Sequence, residues 1–148
     1  MIFKFRLLPL LKKDCFEGQV LGAEARRAGQ VLKENEQRHQ AALGRVSETE
    51  AALRDSCRQE QSIELGQREI LYAYLRYSHG VAEDCRKDAT EARSVYEDVL
   101  NKLETKRKAI RTLEKQRDRK RREHDAEERR LDSKQADEAW LQRRSGGK

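Results

Sequence analysis

Along the first part of the chain, Leu32, His39, Val46, Leu53, Glu60, Gln67 and Tyr74 recur seven residues apart, with Leu43, Cys57 and Leu71 as companions. Seven-residue spacing keeps one stripe of a helix facing a partner helix, so the pattern predicts a coiled coil with defects at its polar members. A second seam runs through Val81, Cys85, Ala92, Val95, Val99, Leu103, Ile110 and Leu113, and then fades until Leu131 and Trp140. Between the two lies Tyr77-Ser78-His79-Gly80. Glycine readily takes the left-handed conformation that ends a helix, and Glu83 and Asp84 would suit the first turn of the next one. The sole proline, Pro9, fits a first helical turn and drives Leu8 into an extended leader.

These signals predict an all-α fold: a long two-helix antiparallel coiled-coil hairpin, with helices over about 9–77 and 81–143 and a tip near 78–80. Residues 1–8 form an extended leader and 144–148 a flexible tail of a single domain, 1–148. Fully helical arms of this length would each run roughly 100 Å. A tip at 78–80 sets Val46 against Leu113, Cys57 against Lys102 beside Leu103, and Ile63 against Tyr96. Gly44 and Gly66 are rival break points, and Gly18, Gly22 and Gly29 weaken the first arm.

Composition sharpens this reading. With 41% charged residues, 36% hydrophobic and 5% aromatic, the chain is too poor in apolar side chains for a compact core. One proline and an abundance of Leu, Ala, Glu, Arg and Lys favour long helices over a solvated coil. The net charge of +6 suits nucleic acid, anionic lipid or an acidic protein face without choosing among them. Cys15, Cys57 and Cys85 match neither a disulfide framework nor zinc spacing, and read as reduced cytosolic thiols. Residues 1–14 are apolar only in short runs broken by Lys4 and Arg6, too short for a signal sequence or a membrane span.

Candidate chemistry is sparse. SGGK at 145–148 has no strand before it and no helix after it, so it is no phosphate loop. His39, His79 and His124 are far apart and share no repeated ligand spacing. The sequence therefore points away from an enzyme, a cofactor or a metal, and a two-helix hairpin offers no concave pocket. Lys106 to Arg122 carries ten basic residues against two acidic ones, yet the leucines lie before it, the reverse of a basic region feeding a zipper. Residues 123–138 follow with seven acids against three bases, which would repel phosphate and weighs against nucleic acid.

The stretch from Glu114 to Arg130, EKQRDRKRREHDAEERR, has no apolar face at all. It reads as a solvated helix laced with acid-first pairs such as Asp118–Arg122 and Asp125–Arg129, each contributing about 0.2–0.5 kcal/mol. Such an arm can protrude and offer charge to a partner. Leu71, Tyr72, Tyr74, Leu75 and Tyr77 crowd more apolar bulk into a short span than one face can bury, so part of it either caps the coil end or anchors a protein. Phe3 and Phe5 alternate with Lys4 and Arg6 in a leader that either docks on a partner or folds back. Trp140 has no evident intrachain mate except that leader.

The leader FKFRLLPLL at 3–11, LYAYLRY at 71–77 and the ending KQRDRKRREHDAEERRLDSKQADEAWLQRR at 115–144 together resemble the FliJ family of bacterial flagellar type III export and its YscO-type virulence relatives. Trp140, where an aliphatic residue is expected, and the glycines at 18, 22 and 29 depart from that pattern. The resemblance implies a cytoplasmic stalk-like coil, peripheral to the inner membrane at the base of the export apparatus and not inserted in the membrane. Its open end would enter the hexameric export ATPase, and it would contact the cytoplasmic domain of the export gate and escort or recycle export chaperones. Carried onto this chain, the ATPase-facing end comprises Phe3, Phe5, Arg117, Arg119, Lys120, Arg121, Arg122 and Trp140. Leu71, Tyr72, Tyr74, Leu75 and Tyr77 would meet the gate or chaperones. A virulence-secretion stalk and a generic or nucleic-acid-binding coil are the competing classes.

Overall fold

In a computed structural model, residues 2–58 and 65–147 are described. They form two helices packed against each other, α1 over Leu8–Arg58 and α2 over Leu65–Ser145, an all-α helical hairpin. Pro9 sits in the first turn of α1, where its missing N–H costs nothing, and the Leu8 N–H bonds to the Phe5 carbonyl at 3.1 Å. At the other end Gly146 N–H donates to the Gln142 carbonyl at 2.9 Å, so helix continues into the expected flexible tail at 144 and 145.

The reversal is not at 78–80. Ser78, His79 and Gly80 lie inside α2, and no described glycine adopts a positive φ. An interior glycine costs about 1 kcal/mol relative to alanine, and no proline follows to enforce a stop. Ser78 and Ala82, on either side of Gly80, are both buried in the seam, so the helix packs continuously past this glycine. Gly44 is likewise inside α1, whereas Gly66, the other rival break point, is the second residue of α2, beside the boundary between the two helices.

Every buried residue obeys a heptad. In α1 these are Leu11, Ala25, Val46 and Leu53 on one heptad position, with Asp14, Ala42, Thr49 and Ser56 on the other. In α2, Ala82, Ala89 and Leu103 share one position, and Ser78 and Ala92 the other. The expected members Val46, Leu53, Ala92 and Leu103 are buried, and Leu32, His39, Leu71, Val81, Cys85, Val99, Ile110 and Leu113 are half-buried. Leu43, Cys57, Gln67, Tyr74 and Val95 are exposed instead. Their places in the seam are taken by small or hydroxylated residues. Thr49 and Ser56 turn their hydroxyls back onto the carbonyls of Arg45 and Leu53, at 2.8 and 2.7 Å, so neither buries an unsatisfied donor.

The chain divides into two compact units, residues 21–103 and residues 1–20 with 104–148, and both helices contribute to each. In the first, Val46 and Ala42 pack with Ala82, joined by Leu75, Val81 and Cys85. Gly29 lies beneath Tyr96, and Arg93 reaches Glu36 at 2.6 Å. In the second, Gly18 lies beneath Ile110, and Lys106 reaches Asp14 and Glu17. Opposed residue numbers total 120–129 throughout, against 159 for a tip near 79 or 80. The pairings expected from that tip are therefore replaced: Val46 meets Ala82, not Leu113, and Tyr96 meets Gly29. Cys57 is exposed, and Glu60 and Ile63 lie outside the described residues.

Candidate functional site

The shorter register changes what the two exposed candidate surfaces are. α1 is 51 residues long and α2 is 81, so the arms are not the matched pair that a tip at 78–80 would give. In the unit made by residues 1–20 and 104–148, Phe3 of the leader lies edge-on to His124 of α2, with centroids 5.6 Å apart. From Ala126 to Gly147 every described side chain is exposed. The stretch from Glu114 to Arg130 lies within this unit. It starts beside the half-buried Leu113 and ends beyond the leader's contact.

Helix is sustained there by local pairs, though not those expected. Asp118 is taken by Arg117 at 3.1 Å, and Glu123 by Arg119 and Lys120 at 3.1 and 2.9 Å. Glu127 pairs with Arg130 at 3.6 Å. Arg129 donates to the backbone carbonyl of Asp125 at 3.2 Å, so its bond to Asp125 bypasses the carboxylate. Hydrogen bonds from Lys120 and then Arg119 hold the Glu123 carboxyl below its ordinary range. Of the expected site residues, Arg117 is half-buried and Arg119, Lys120, Arg121 and Arg122 are exposed. Trp140 is exposed and stacks under the Arg144 guanidinium at 5.2 Å, an intrahelical mate in place of the leader.

The leader folds back. Phe3 and Phe5 are half-buried while Ile2, Lys4 and Arg6 face solvent, the alternation an extended segment gives when one side packs. His124 gains Phe3 on one edge, and its Nδ1, shielded from solvent, stands 3.6 Å from Asp125 without a hydrogen-bond partner. His124, Asp125 and Glu128 bring ligand atoms within 4.8 Å of one another, a juxtaposition that scanning for repeated histidine spacing does not find. All three belong to one helix turn open to solvent on its far side, and Glu128 is exposed. That arrangement alone assigns no metal.

Lys106 is the best-tethered charge in this unit. Its ammonium lies 2.6 Å from Glu17 and 3.3 Å from Asp14, whose side chain is largely buried. The bond from Lys106 pulls the Glu17 carboxyl down, and the bond to Glu17 pushes the Lys106 ammonium up. Stability from Glu17 is therefore present above the ordinary carboxylate range, near pH 4.3, and is lost as pH falls through the lowered value. Stability from Lys106 is present below about pH 10.4 and is lost as pH rises through the raised value. Replacing Lys106 by Met should lower the melting temperature between those limits. The difference from wild type should shrink towards both extremes, and a pH-independent difference in melts followed by circular dichroism would disprove the clamp.

The second surface lies in the other unit. Leu71 and Leu75 are half-buried on the seam, whereas Tyr72, Tyr74 and Tyr77 are exposed together with Ile70. Tyr74 and Tyr77 lie with ring centroids 6.4 Å apart. With Ala42, Arg45, Ser78 and Val81 they line a shallow groove along the helix pair. Both leucines serve the coil and the three tyrosines remain on its surface. The cluster thus separates into a structural half and a presenting half.

No family model matches this chain, and no curated protein or solved structure matches it. Among the described residues, no helix is long and apolar enough to cross a membrane.

Proposed function

We propose that this protein is a stalk-like helical hairpin of the flagellar type III export kind, which works by engaging a ring-shaped export ATPase and catalyses no reaction itself. The observation that supports this reading best is the run from Ala126 to Gly147, helical to Ser145 and exposed on every side. A charge-rich helix exposed all round can sit inside a ring and meet it electrostatically. Arg117, Arg119, Lys120, Arg121, Arg122 and Trp140 lie on this end of α2, and Phe3 packs against His124 just before the exposed run. On this reading Tyr72, Tyr74 and Tyr77 serve the export gate's cytoplasmic domain or the export chaperones, since exposed tyrosines beside leucines suit protein anchoring. The place of action is the cytoplasmic face of the inner membrane, at the base of the export apparatus.

The test is turnover of the cognate export ATPase with and without the purified protein. The full chain should hydrolyse no nucleotide alone and should raise ATPase turnover and ring assembly. A chain ending at Asp125 should keep the coil's melting transition and lose the stimulation. Unchanged turnover and assembly with the full chain would refute the stalk reading.

A further inference from the structure

We propose that the N-terminal segment Ile2–Val20 is a docking surface for an anionic phospholipid bilayer, on which the protein lies without crossing. This inference does not rest on the stalk reading, and a chain lying on a bilayer by this segment would not at the same time have that end inside a ring. It starts from where exposed apolar side chains gather. Six of the eighteen large hydrophobic residues exposed among the described ones fall within the first twenty positions, a density well above that of the rest of the chain. Ile2 is 88% exposed and Phe16 is 66% exposed.

Two of them, Phe16 and Val20, share an outward face of α1 with positive charge, and Ile2 lies beside Lys4 in the leader. The seam side of α1 carries Leu11, Asp14 and Gly18. At 100° per residue, Pro9, Lys12, Lys13, Phe16 and Val20 fall on the opposite, outward side. Just before the helix, Lys4 and Arg6 point to solvent while Phe3 and Phe5 are tucked in. The only carboxylates in this segment, Asp14 and Glu17, are bound by Lys106 at 3.3 and 2.6 Å, with Lys13 also 3.8 Å from Glu17. Negative charge is therefore held to the seam flank and the outward face is basic and apolar. An interfacial segment needs that pairing, with apolar side chains entering the headgroup boundary and lysines meeting anionic lipid.

Charge at the level of the whole unit agrees. Residues 1–20 and 104–148 carry twenty Lys/Arg against twelve Asp/Glu, a formal +8, whereas residues 21–103 carry thirteen against fifteen, a formal −2. A nucleic acid would use the charge but leave Ile2, Phe16 and Val20 without a role, and so a bilayer accounts for more of the surface.

The experiment is co-sedimentation of the full chain with phosphatidylcholine vesicles, with and without phosphatidylglycerol, in low and high salt. Binding should require phosphatidylglycerol and fall as salt rises. Lys12→Gln should weaken it about fivefold. Phe16→Ser should weaken it several-fold even at low salt, and Ile70→Ser, equally apolar but in the other unit, should leave it unchanged. Circular dichroism of each variant keeps folding separate from binding. Equal binding to neutral vesicles, no effect of Phe16→Ser, or retention of an oligonucleotide in place of vesicles would overturn the proposal.

Discussion

Val46→Asp should unfold much of the coil, while Val95→Asp should leave its melting transition nearly where it was. Val46 is buried in one cluster with Ala42 and Ala82, against which Leu75, Val81 and Cys85 pack. A carboxylate there loses the apolar burial and gains no counter-charge, a combination that costs about 3–5 kcal/mol. That is a large share of the stability of any small fold. Val95 has the same side chain and follows an equally persuasive spacing in the sequence, yet it is 51% exposed. Its replacement should shift stability within about 0.5 kcal/mol. Thermal melts of both variants check the pair, and similar losses in the two would mean the seam is misplaced.

Gly29→Leu should destabilise the coil and Gly44→Ala should stabilise it, although both remove a helix-weakening glycine. A Cβ on Gly29 would stand 3.2 Å from Tyr96 Cε2, and the branches of a leucine would need the volume the ring occupies. Overpacking of this kind costs about 1–3 kcal/mol, more than the helix propensity gained. Gly44 has nothing within 4 Å of an added Cβ, so only the gain of about 0.5–1 kcal/mol remains. Chemical denaturation midpoints should move in opposite directions. Movement in the same direction would show that Tyr96 does not rest on Gly29.

The sequence made the two helices legible because Leu32, His39, Val46 and Leu53 hold a seven-residue spacing, and because Cys85, Ala92, Val99, Leu103, Ile110 and Leu113 hold another. It did not disclose the turn. Half of each seam is written in Ala42, Thr49, Ser56, Ser78, Ala82 and Ala89; serine and threonine are mostly surface residues, and alanines recur at so many exposed positions of this chain that no hydrophobic pattern separates these from solvent positions. Larger neighbours such as Leu43, Cys57 and Val95 drew the reading off register. Gly80 then looked like a helix end, when it is a glycine carried within a helix. The presenting surfaces were partly legible. Crowding between Leu71 and Tyr77 made it legible that part of the cluster would be exposed, but the seven-residue spacing had put Tyr74 in the seam, and it is on the surface. The fold-back of Phe3 onto His124 and the clamp by Lys106 depend on which residues the register brings together, so a register off by some thirty residues conceals both.

The exposed ends depend on that register, with α1 of 51 residues set against α2 of 81. Spin labels at Gln40 and Arg86, which line one groove of the same unit, measure it directly. With unlabelled protein in excess to keep the signal within one chain, double electron–electron resonance should give a separation of about 20 Å or less, the width of two helices. A helix break at 78–80 would instead separate the labels by roughly 50 Å along the axis. A distance in that longer range would contradict the hairpin described here and with it the projecting arm.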